Sequence, residues 1–149
     1  LAGFIARWEL GLEREPFRLS SLTEKRSFLD VRDAVAAYEA ILRRGSPGEL
    51  YRFGSPRLRT LGEVVRAFES AVDQPFPYVN LGMAPRDPDP MAPSNEAIAR
   101  LGWAPRIPFE QSIHDMLEDA RARLRQQTTG RRKPQCGHSP WHPGDKEGE

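Results

Sequence analysis

The sequence predicts an α/β chain with more helix than strand, and three observations carry that expectation. Stretches with apolar residues at helical spacing alternate with short extended stretches. Glycine, proline and capping residues fall between them, where turns and helix ends need them. The extended stretches are short and few, so they suit the edge and one end of a larger α/β sheet, not a self-sufficient doubly wound one.

Taken in order, Leu1, Phe4, Ile5, Trp8 and Leu12 lie at helical spacing, which predicts an amphipathic helix stopped before Pro16. Phe17 to Leu19 and Ser27 to Val31 read as short extended pieces. Asp30 or Asp33 then opens a helix, because a carboxylate accepts the unpaired first-turn N–H groups. The apolar face predicted for that helix is Val31, Ala34, Val35, Tyr38, Ile41 and Leu42, with Gly45 as its stop. Ser46-Pro47-Gly48 is a turn, and Leu50 to Phe53 reads as a strand broken by Gly54-Ser55-Pro56. Thr60 and Glu63 form a capping-box pair ahead of a helix with Leu61, Val64, Val65, Phe68, Ala71 and Val72 on its apolar face. Tyr78 to Leu81 is a further strand, and the proline-rich stretch Met83 to Pro93 excludes regular structure. Ser94 or Asn95 caps a short helix that ends near Leu101 at Gly102. Pro108 opens a last helix through Ile113, Leu117, Ala120 and Leu124.

Composition bounds the function. The 149 residues suffice for one ordinary domain, and 38% are hydrophobic, below the usual ~45–50%. A core is therefore expected over residues 1–125. Residues 126–149 are expected to be a disordered polar tail, with too few aliphatics to offset chain entropy. A net charge of +1 gives no reason to expect nucleic acid or an anionic membrane as partner. The single Cys136 excludes an internal disulfide framework and fits a reducing, cytoplasmic compartment. No apolar run is long enough to span a membrane, and Leu1 to Trp8 lack the pattern of a secretory leader. Leu1 stands where an initiator Met would, and the first segment already reads as the interior of a domain.

Several motifs together resemble one family. Arg26-Ser27-Phe28-Leu29-Asp30-Val31-Arg32-Asp33-Ala34-Val35 resembles the R-D-F-x-D-V-x-D-x-V segment of extended short-chain dehydrogenases/reductases, the NAD-dependent epimerase/dehydratase family. Gly48-Glu49-Leu50-Tyr51 with Gly54-Ser55 is similar to its G-E-x-Y-N-x-G-S-G turn. Ser94-Asn95-Glu96-Ala97 with Leu101-Gly102-Trp103-Ala104-Pro105 resembles its D-x-S-K-x-x-x-x-L-G-W-x-P segment, and Ile107 to Ile113 its last helix entry. The chain departs from the pattern at Arg52, at Pro56 and in a shorter loop between Arg86 and Ser94.

The resemblance runs from Leu1 to about Arg125 and is closest to the GDP-4-keto-6-deoxymannose reductase / GDP-mannose 4,6-dehydratase group. It implies the C-terminal, substrate-binding portion of an extended Rossmann-type fold without the cofactor-binding half. It also implies NAD or NADP in the intact enzyme, bound by the absent N-terminal Rossmann half, and a nucleotide-sugar substrate, with a GDP-sugar first. Homodimers are common in the family, through helices mostly in that absent half. Helix faces that meet that half would be bare in this chain alone.

The family's catalysis needs a Tyr with a Lys four residues later, so that the Lys lowers the phenol pKa. Four positions after Tyr38, Tyr51 and Tyr78 stand Leu42, Ser55 and Gly82. No Gly-x-Gly-x-x-Gly or Gly-x-x-Gly-x-x-Gly turn follows a strand. The chain is therefore not expected to turn over by itself, and no catalytic or cofactor-binding residue is assigned.

What remains is ligand grip. The resemblance assigns Arg26, which opens the R-S-F segment, to the sugar-nucleotide diphosphate, with Arg86 as the second diphosphate arginine. A guanidinium pairs phosphate oxygens bidentately and stays charged, although a solvated surface is the ordinary fate of an arginine. Asp33 reads as a helix cap or backbone anchor, Tyr38 and Phe68 as core, and Trp103 as packing for the chain reversal. Cys136, His138 and His142 lack the paired cysteines of a structural zinc site, so no metal is expected. His114 beside Asp115 and the basic run Arg131-Arg132-Lys133 read as solvated surface. The rival reading is a non-catalytic truncated relative acting as an interaction module, which would have to fold cooperatively alone.

Overall fold

In the computed structural model, residues 1–86 and 90–130 are described, with side chains to residue 127. Helix α1 (Ala2–Glu9) leads into strands β1 (Phe17–Leu19) and β2 (Lys25–Ser27), then helix α2 (Val31–Arg44). Strand β3 (Leu58–Thr60), helix α3 (Leu61–Glu69), strand β4 (Tyr78–Asn80) and helices α4 (Glu96–Ala99) and α5 (Phe109–Gly130) follow. β1 pairs in parallel with β4, Phe17 facing Tyr78. β2 pairs antiparallel with β3, Arg26 facing Arg59. Two three-residue pairs are far below a stable sheet in isolation, so the helices carry the fold.

Two cores do this. Ile5 of α1, Val65 and Phe68 of α3, Phe76, and Ile113 and Leu117 of α5 form the larger. Ala37 and Ala40 of α2 meet Ile98 of α4 and Trp103 in the smaller. Small alanines on α2 let Trp103 approach until its indole N–H donates to the Asp33 carbonyl at 3.0 Å. Gly102 makes the reversal before Trp103 at φ 76°, a conformation a side chain at that position would strain.

Four sequence expectations are corrected. The extended piece at Ser27 to Val31 is displaced: β2 ends at Ser27, and Asp30 caps α2 by accepting from the Arg32 N–H at 2.8 Å. Leu50 to Phe53 is not a strand. Its end is held by a side chain instead, as the Asn95 amide accepts from the Gly54 N–H at 3.0 Å and donates to the Gly54 carbonyl at 2.9 Å. A Cβ at Gly54 would sit 2.5 Å from Pro93 Cγ, so only glycine permits that approach. Strand β3 was missed, because Arg57-Leu58-Arg59 carries too little apolar character to announce a strand.

The fourth correction concerns α2. Its buried side is Asp33, Ala37 and Ala40. Of the apolar face read from sequence, Val31, Val35, Tyr38 and Leu42 are 72%, 60%, 61% and 87% exposed. Tyr38 is thus not core, though its ring meets Phe53 edge-on at 5.3 Å. The helix has two apolar stripes, and periodicity locates stripes without saying which is covered. Phe68 is core, at 2% exposure, as expected. The capping box is present, with Thr60 Oγ1 accepting from the Glu63 N–H at 3.1 Å and Glu63 accepting from the Thr60 N–H at 2.7 Å. α5 continues past Gln126 to Gly130. Cys136, His138, His142 and the basic run at 131–133 lie outside the described residues.

Candidate functional site

β2 puts Arg26 on the surface with a fixed root. Its Nε and Nη2 donate to Glu24 Oε1 at 3.1 and 2.5 Å. Glu24 is buried at 7% exposure, and its backbone carbonyl accepts from the Leu61 N–H at 2.9 Å. The carboxylate is thereby tied to the start of α3, and the guanidinium, half exposed, is oriented by it with donors to spare. Arg86 is exposed in the irregular stretch that follows β4. Among the described residues no hydrogen bond or ion pair joins Arg86 to Arg26.

The carboxylates of the R-S-F-L-D-V-R-D segment are structural. Asp33 Oδ2 accepts from the Arg106 and Ile107 N–H groups at 3.0 and 2.9 Å, the anchor expected of it. Asp30 caps α2, receives a two-point fork from Arg32 at 2.9 Å each, and accepts from Ser112 Oγ at 2.6 Å. The Arg32 hydrogen bonds, aided by Ser112, hold its carboxyl far below the ordinary carboxylate range, against the opposing effect of burial. Arg32 also reaches Asp115 of α5 at 2.7 Å, so this cluster staples α2 to α5. His114 is solvent-facing as expected, 3.6 Å from the Asp115 carboxylate.

Sequence reading missed Glu24, whose signal is an acid two residues before an arginine on one strand face. It also missed Arg59, directly across from Arg26 and stacked at 4.2 Å over the Phe109 ring.

No glycine-rich turn joins a strand to a helix, and β1 leads through a loop to β2, not to a helix. Among the described residues no cluster of three His, Cys, Asp or Glu is placed to hold a metal, and no helix is long and apolar enough to cross a membrane.

No protein-family model matches the chain. It is 27% identical over 132 residues to the GDP-6-deoxy-D-mannose reductase of Pseudomonas aeruginosa, a match that covers 83% of this chain and 41% of that protein. It is 28% identical over 104 residues to the human dTDP-D-glucose 4,6-dehydratase, covering 64% of this chain and 29% of that one. In structure it resembles RMD from Pseudomonas aeruginosa complexed with NADPH, with TM-score 0.74 and 26% identity over 82% of this chain and 41% of that one. The Bifidobacterium longum UDP-glucose 4-epimerase, solved with NAD+ and UDP, aligns at TM-score 0.67 and 18% identity over 85% of this chain and 40% of that one. The chain thus spans about two-fifths of the length of these solved relatives. Motifs, fold and sequence likeness converge: the chain is similar to the C-terminal part of extended short-chain dehydrogenases/reductases and matches that part of their Rossmann-type fold.

Proposed function

We propose that this chain is the substrate-binding half of an NAD(P)-dependent nucleotide-sugar epimerase, dehydratase or reductase, acting on a GDP-sugar. The observation that carries the reading is the Arg26 guanidinium, rooted on buried Glu24 and turned to solvent, inside the stretch similar to a GDP-6-deoxy-D-mannose reductase. Arg26 takes the diphosphate through its free donors, and Glu24 keeps the fork aimed, so that less freedom is lost on binding. Arg86 supplies the second cation from the loop after β4. NAD or NADP belongs to an N-terminal Rossmann half, since this chain has no cradle for it. That half covers Val31, Val35, Tyr38 and Leu42 on α2, which this chain leaves bare. The interaction-module alternative predicts a chain that closes its own apolar surface, and α2 does not.

The test joins this chain to the N-terminal cofactor half of the Pseudomonas reductase and titrates a GDP-sugar. Arg26→Ala should weaken binding about tenfold or more, as loss of a charge-assisted contact does. Unchanged affinity in that variant would remove the role assigned to Arg26.

A further inference from the structure

A cavity of about 280 Å³ opens where the loop after Gly54, strand β3 and the first turn of α5 meet. Arg57, Arg59 and Arg106 line it, with Ser55, Ser112 and the Phe109 ring. Asp30 is the only carboxylate among its lining residues, and Arg32 and Ser112 already engage both its oxygens.

The three guanidiniums differ in what they have left to give. Arg57 donates to Glu63 at 2.8 Å. Arg59 is 3.6 Å from Glu110, beyond hydrogen-bond reach, and that glutamate is 72% exposed, so the pair holds the arginine weakly. The Arg59 side chain itself is only 17% exposed, flattened over Phe109, an arrangement that orients its donor edge before any ligand arrives. Arg106 uses its backbone N–H on Asp33, while its guanidinium has no side-chain partner among the described residues. Arg59 also faces Arg26 across the β2–β3 pair, and like charges directly opposite destabilise a strand pair. An anion beside Arg59 offsets that repulsion.

We propose that this notch binds a small phosphoryl anion, held by Arg59 and Arg106, at a site separate from the diphosphate position assigned to Arg26 and Arg86. Its volume of about 280 Å³ lies just under the ~300–1,000 Å³ of pockets for drug-sized ligands, which suits inorganic phosphate or the phosphate of a small ester better than a whole nucleotide-sugar. The two forks can each take two phosphate oxygens, with the Ser55 and Ser112 hydroxyls at the wall.

The experiment uses the full 149-residue chain and follows arginine Nε–H and backbone amide signals by NMR. Inorganic phosphate is titrated at constant ionic strength, with a hexose 1-phosphate and then chloride as further arms. Saturable shifts at Arg59, Arg106 and residues 55–57 with phosphate, absent with chloride, are expected. Stronger binding of the ester would name an ester as the source, and equal binding would name free phosphate. Arg106→Gln, an exposed change that leaves the amide spectrum folded, should weaken binding about tenfold, and Arg26→Ala, which removes only the facing charge, should weaken it less. Equal shifts with chloride, indifference to both Arg106→Gln and Arg59→Gln, or a loss in Arg26→Ala as large as that in Arg106→Gln would each overturn a separate phosphoryl site.

Discussion

Leu42→Gln separates a docking face from a folding core. Leucine and glutamine have similar helix propensity, so the substitution changes apolar surface and little else. Burying a leucine fully is worth about 1.5–3 kcal/mol. Leu42 is 87% exposed in this chain, so about an eighth of that, or roughly 0.2–0.4 kcal/mol, is at stake in the chain alone. Once a cofactor half covers α2, the remainder is realised, and the same substitution should cost roughly 1–3 kcal/mol of assembly, about tenfold to a hundredfold in affinity. Urea unfolding of the chain gives the first quantity. Titration of the chain with the separately produced N-terminal half of the Pseudomonas reductase gives the second. A loss above about 1 kcal/mol in the chain alone would show that α2 is already covered. An unchanged affinity for the N-terminal half would show that α2 is not where it docks.

Two further perturbations address the clamps. Asp33→Ala leaves the Arg106 and Ile107 N–H groups without their acceptor, at about 1–3 kcal/mol each; a drop of less than about 1 kcal/mol in urea unfolding would mean that solvent replaces the carboxylate. Asp30 has its folded-state pKa depressed, first through Arg32. Its contribution is therefore complete above the unfolded value of about 3.9 and is lost as pH falls below it. Stability measured between pH 6 and pH 2 (about two units either side of that value) should fall more steeply for the native chain than for Asp30→Asn, and parallel profiles would refute the clamp.

Much of the fold was legible where one local rule decides the outcome. The Thr60–Glu63 capping box, the Gly102 reversal and the Asp33 anchor each follow from a short segment and its backbone demands. What stayed hidden depends on neighbours. Leu50 to Phe53 has the composition of a strand, yet its end is satisfied by the Asn95 amide, 41 positions away from Gly54. Leu42 and Ile98 look alike in sequence, but one is 87% and the other 0% exposed, because Trp103 covers only the alanine side of α2. The site divides the same way. Arg26 is visible through its motif and Glu24 stands two residues before it, whereas Arg59 meets Arg26 through strand pairing that no single segment displays.

The proposed grip and the proposed docking face consequently fall on different elements. The strand bearing Arg26 is fastened within this chain three times: its own pairing with β3, the Glu24 carbonyl to the Leu61 N–H at 2.9 Å, and the Leu22 carbonyl to the Gly62 N–H at 2.9 Å. None of these contacts involves α2. The outer stripe of α2, by contrast, touches little of this chain beyond Phe53. An arginine rooted in one core can keep its aim while a helix face on the other core waits for a partner. In the proposed enzyme, the geometry of the diphosphate grip is therefore set before the cofactor half arrives, and assembly brings chemistry to a substrate site that already exists.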